Sequence, residues 1–137
     1  MTQKFSAEAV LIVQPADTAR FIALAPTDDF PEVFATSRMV ALMELAAARA
    51  MRPLLSEGQL SVGVSLNVRH TAATPVGCEV RAVATWVRTE GKILDFRVEA
   101  FDEAGSIGIG EHTRAVIDTA RLVAGAQRRR KATFTSQ

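Results

Sequence analysis

The sequence predicts an α+β fold in which an antiparallel sheet wraps around one long helix. Three observations carry this: a single apolar segment with helical composition at 36–55, four consecutive runs of period two between 60 and 119, and one strand-like run ahead of the helix. With 137 residues, 48% of them hydrophobic, the chain fits one domain over 1–137. A domain of that size buries roughly 68–70% of its unfolded surface, so a substantial core is expected.

The elements follow in order. "KFSAEAVLIVQ" (4–14) suits a first strand, and "LAPTDDFPEVF" is a loop whose two prolines exclude a regular ladder. In "TSRMVALMELAAARAMRPLL" (36–55), Thr36 or Ser37 offers an N-cap, the alanines favour helix, and Pro53 stops it. Its apolar residues leave little room for a wet face, which predicts a helix buried nearly all round. Then the period changes to two, in residues 60–74, 78–90, 92–104 and 106–119. The intervening "TPVG", "EGK" and "EAGS" predict an antiparallel meander. In the third run Leu94, Phe96, Val98 and Ala100 point one way while Asp95, Arg97 and Glu99 point the other. This is the layout of a hot-dog fold. Its open sheet edge predicts pairing with a second copy. Residues from about 121 to 137 read as a polar basic tail containing "RRRK" at 128–131.

Composition narrows the function. A formal charge of +1 offers no general field for nucleic acid, and no stretch approaches the ~18 apolar residues of a membrane span. The lone Cys78 excludes an internal disulfide and suits a reducing compartment, so a soluble cytoplasmic protein is expected. Cys78 has no histidine near it in sequence, and the histidines, cysteine and acids show no metal-ligand spacing. "GSIGIG" (105–110) leads into a strand rather than a helix, so a bulge or close backbone contact explains its glycines better than phosphate binding.

Glu44 is the anomaly, a carboxylate in the middle of an apolar helix with no basic residue three or four positions away. Burying it unpaired costs several kcal/mol, so it must be protonated, hydrogen-bonded or open to a cleft. Taken singly, Glu44 reads as an acid escaping through a gap or bonded to a strand, His70 as a half-buried strand histidine, and Thr36 as a cap. Taken together, hydroxyl, imidazole and carboxylate are the parts that activate a nucleophile at an acyl group. Eight positions separate Thr36 from Glu44, or about 12 Å along a straight helix. They share a site only if Thr36 folds back or faces the glutamate of another subunit.

"FPEVFATSRMVALMELAAARAM", followed by "SVGVSLNVRHTAATPVG" and "GIGEHTRAVI", resembles the fluoroacetyl-CoA thioesterase group of the hot-dog superfamily, from about Phe30 to Ile117. The resemblance implies a catalytic triad of Thr36, Glu44 and His70, with Gly63 and Arg114 lining the acyl pocket and Phe30 beside the acyl group. It also implies a homodimer with sites near the subunit interface; further pairing into a tetramer stays open. The loop before Phe30 lacks a further aromatic expected of a fluoroacetyl-selective member, and Leu45 stands where a larger ring is expected. The expected activity is hydrolysis of a short-chain acyl-CoA, with coenzyme A as part of the substrate and no separate cofactor. Arg69 or the 128–131 block is a candidate for the CoA phosphates. A hot-dog hydratase or dehydratase acting on enoyl-CoA, and a non-catalytic acyl-CoA binding module, are the alternatives.

Overall fold

Strand β1 (Ser6–Ile12) precedes helix α1 (Thr36–Met51), which is followed by strands β2 (Gln59–His70), β3 (Glu79–Glu90), β4 (Ile93–Asp102) and β5 (Gly105–Asp118) and a second helix, α2 (Thr119–Thr135). The computed structural model describes residues 5–135, so Lys4 of the expected first strand and the last two residues of the basic tail lie outside the described residues. The strands form one antiparallel sheet in the order β1-β3-β4-β5-β2, curled around α1, which is the expected α+β hot-dog arrangement.

The helix packs through one stripe. Met39, Leu42, Met43, Ala46, Ala47 and Ala50 recur at three- and four-residue intervals and are buried against the sheet. Ala41 and Leu45 lie off that stripe and are exposed, Leu45 by 42%. The helix is therefore not buried all round within one protomer, because the sheet covers only the face it curls over. Its end matches expectation: α1 tightens into a 3₁₀ turn at Arg52–Leu54, where Pro53 removes the next amide donor. Gly108 explains how closely α1 approaches β5, since a Cβ there would sit 2.5 Å from Met39 Sδ. Gly110 likewise presses on Asn67 O of β2, so close contact accounts for Gly108 and Gly110, whereas Gly105 has open space around it and closes the turn at a φ of +136°.

Two expectations need correction. Only β3, β4 and β5 form a meander; β2 does not pair with β3 but crosses to the far side of β5. The connection 71–78 is long enough to cross the sheet end and is pinned there: Thr74 Oγ1 donates to Asp102 Oδ2 at 2.7 Å, and Phe34 N donates to Thr74 O at 2.8 Å. The basic tail is helical, since residues 119–135 form α2.

Candidate functional site

The start of α1 is held by Asp17. Its carbonyl accepts from Ala35 N at 2.9 Å, and its carboxylate pairs with Arg38 at 2.8 Å. Ala35 is the N-cap and supplies no side-chain bond, so neither Thr36 nor Ser37 caps the helix as expected. Thr36 is instead the first helical residue, with its hydroxyl free for another partner. That partner is His70, the last residue of β2, whose Nδ1 lies 2.8 Å from Thr36 Oγ1. Phe34 meets the imidazole edge-on, with ring centres 6.5 Å apart. Burial pushes the His70 imidazole below its ordinary 6.5, a backbone contact with Ala72 partly opposing, so the ring is neutral and basic at neutral pH. An open hollow of about 320 Å³ lies beside the pair, lined also by Ala19, Pro31 and Val33. Phe30 is 44% exposed and adjoins Pro31 in sequence.

Glu44 lies elsewhere. Its Oε2 accepts from Arg114 Nη1 at 3.1 Å, so the partner missing from its own helix comes from β5. Arg114 is almost wholly buried: Nε donates to Ser61 Oγ and Nη2 to Ser61 O, each at 3.0 Å, and Nη1 also reaches His112 Nε2 at 3.2 Å. Gly63 stands opposite Arg114 in the β2–β5 register, and a Cβ on it would come within 2.8 Å of Glu44 Oε2. The missing side chain is what lets the carboxylate lie on the strand.

The six residues therefore fall into two groups. Thr36 and His70 meet at one end of β2, with Phe30 in the loop leading to them, while Glu44, Gly63 and Arg114 meet farther back along the strand. Gly63 and His70 are seven positions apart, one of them absorbed by a β-bulge between Gly63 and Ser65, or about 20 Å of extended strand, and no hydrogen bond joins Glu44 to His70 among the described residues. The carboxylate does not share a site with the imidazole inside one protomer. Arg69 is exposed beside His70, and Phe34, Ser61 and Ser65 join the two groups without having been expected. His112 was not singled out either. Its signal was present: His112 and Arg114 occupy alternate positions of β5 in phase with buried Gly108, which places two basic residues on the inward face.

A model of the family described as fluoroacetyl-CoA-specific thioesterase matches residues 13–120. The fluoroacetyl-CoA thioesterase of Streptantibioticus cattleyicolor is 46% identical over 108 residues, covering 77% of this chain and 78% of that one. A solved structure of the fluoroacetyl-CoA thioesterase FlK superposes with a TM-score of 0.88 at 41% identity, over 93% of this chain and 96% of that chain. A Thermus thermophilus member of the thioesterase superfamily aligns with a TM-score of 0.84 at 34% identity, over 99% and 97% of the two chains. A sequence match spanning both groups of residues, on the same fold, places the chain in the fluoroacetyl-CoA-specific thioesterase family.

Proposed function

We propose that the protein hydrolyses short-chain acyl-CoA thioesters as a homodimer, each site combining Thr36 and His70 of one protomer with the partner's Glu44, Gly63 and Arg114. The observation that carries this reading is the separation of the two groups along β2, a strand whose outer edge has no neighbour in the sheet. Antiparallel pairing of β2 with its copy about a two-fold axis at Asn67, the bulge between Gly63 and Ser65 absorbing one position, would set His70 opposite the partner's Gly63, and thus beside the partner's Glu44. The exposed Leu45 and Val64 lie on the face and edge that such pairing would cover. A complex of a FlK variant with acetyl-CoA supports an acyl group of that size.

In this site the carboxylate directs water onto the thioester carbonyl, or attacks it to form a mixed anhydride that water then opens; on either route the C–S bond breaks and the water oxygen ends in the acid. His70, neutral at rest, takes a proton from that water and returns it to the CoA sulfur, and Thr36 fixes the imidazole through Nδ1. Positioned proton transfer supplies roughly 10²–10⁴ in rate, so backbone N–H groups at Gly63 or the start of α1 must also stabilise the oxyanion. The products are the free acid and CoA thiol.

The test is release of CoA thiol from acetyl- and fluoroacetyl-CoA by wild type, Glu44→Gln, His70→Ala and a mixture of the two variants co-expressed. Each variant alone should be inactive. A mixed dimer regains one intact site, so random assembly should restore about one quarter of wild-type activity. Unchanged turnover in the single variants would end the mechanism, and no recovery on mixing would place both groups in one chain.

A further inference from the structure

His112 is one of only two histidines in the chain and is buried at the junction of β5, β2 and α1. Its two ring nitrogens have partners that leave no choice of tautomer. Nδ1 lies 2.9 Å from the Ser65 carbonyl, which can only accept, so Nδ1 carries the proton. Nε2 lies 3.2 Å from Arg114 Nη1, which can only donate, so Nε2 is an unprotonated acceptor. The ring is therefore a neutral imidazole bridging a β2 carbonyl to the guanidinium.

The same Nη1 that donates to His112 also donates to Glu44 Oε2. With Ser61 taking Nε and Nη2, four of the five guanidinium N–H groups are engaged. Ser61 alone would fix the plane's outer edge and leave Nη1 aimed only by the half-exposed carboxylate. We propose that His112 is a positioning residue: as its Nδ1–H tautomer it holds Arg114 at the angle that keeps the Glu44 carboxylate over Gly63. This rests on the site reading above for its consequence in turnover, and on geometry alone for the tautomer.

Protonation would undo the arrangement, because imidazolium Nε2–H would face Arg114 Nη1–H with two cations in contact. The charged groups against His112 are Arg114 on its own strand and Glu44 from α1; β2 presents the Ser65 carbonyl, Gly63 and the paired Leu66, and β4 presents Phe96 at the paired position. Burial, opposed by the Ser65 carbonyl and assisted by Arg114, pushes its pKa down and keeps the neutral form.

Nitrogen-15 imidazole spectra of the intact protein test the tautomer directly, with His112→Gln removing one of the two ring signals and so assigning both. The expected result is the Nδ1–H pattern for His112 above pH 6.5, and an Nε2–H or imidazolium pattern there would overturn the proposal. Kinetics test the consequence. Gln places an acceptor where Nε2 stood and should keep kcat within a few-fold. Asn keeps the bond to Ser65 but falls short of Arg114, and should lose on the order of 10- to 100-fold in kcat with KM little changed, as a misplaced reacting group does. Equal loss in both variants would leave only a packing role and overturn the proposal. If wild type releases no CoA, the thioesterase reading fails while the spectra still decide the tautomer.

Discussion

Thr36 Oγ1 and His70 Nδ1 meet at 2.8 Å, tying the first residue of α1 to the last residue of β2. They are thirty-four positions apart in the chain, and the contact depends on Asp17 anchoring the helix start and on the crossover 71–78 turning away directly after His70.

That pairing separates two threonine variants. Thr36→Ser keeps the hydroxyl and should retain most activity, whereas Thr36→Ala should lower kcat by about 10- to 100-fold, within the range of a positioned proton-transfer partner. Because Thr36 is exposed and does not cap the helix, both should melt within about 0.5 kcal/mol of wild type. CoA release together with thermal denaturation checks this, and a large stability loss in Thr36→Ala would show that the hydroxyl is structural.

Gly63→Ala should cripple turnover while leaving the fold intact. The added Cβ would lie 2.8 Å from Glu44 Oε2 and 3.4 Å from His112 Cε1. The nearer atom is the end of a flexible side chain, so it moves off Arg114 at little conformational cost, about 1 kcal/mol or less. Preserved melting with lost CoA release is the expected pair of results; wild-type kinetics would mean that the carboxylate needs no seat on the strand.

The two histidines give the protein an acid-sensitive stability. Both imidazoles are pushed below their ordinary 6.5, mainly by burial. The unfolded chain then binds more protons than the folded one between each lowered pKa and 6.5, so stability is full above 6.5 and falls as the pH drops through that window. Asp95 and Asp102 have the opposite origin: hydrogen bonds, led by Thr113 and Thr74 respectively, hold their carboxyls below 3.8. Their contribution is present above 3.8 and is lost only as the pH falls through their lowered values. Denaturant titrations between pH 8 and 3 should show two separate declines, and His112→Gln should reduce the first.

Thr74→Val should weaken the crossover. Thr74 is fully buried and its hydroxyl donates to Asp102 Oδ2 at 2.7 Å, a bond to a charged acceptor whose loss costs about 1.5–3 kcal/mol. Chemical denaturation measures this. The variant should also lose part of its acid-induced decline below pH 3.8, because Asp102 then lacks the donor that lowers its pKa.

Leu45→Glu addresses the assembly. The side chain points away from the buried stripe of α1, so an added charge should leave the protomer folded but convert a dimer to a monomer without CoA release. Light scattering and circular dichroism decide it, and an active monomer would remove the need for a second copy.

Helix α1 and all five strands were legible in the sequence, the helix by its apolar, alanine-rich composition and the strands by runs such as Leu94, Phe96, Val98 and Ala100 at alternate positions, whereas α2 lies in what reads as a polar basic tail. Sheet order was not legible. The turn signals at 74–77 look like those of a hairpin, and only the buried Thr74–Asp102 bond distinguishes a crossover. The Thr36–His70 contact came from a family resemblance rather than from spacing. The partner of Glu44 was hidden for a similar reason, since Arg114 is seventy positions away and local rules for charge pairs reach only one helical turn.

Gly63 and His70 ride on the same extended strand, which acts as a ruler between the carboxylate and the imidazole. Deleting or inserting one residue between them would shift the spacing by about 3.3 Å and turn one of the two to the opposite side of the sheet. The intervening segment can therefore change its outward side chains but not its length, and natural variation there should consist of replacements without gaps.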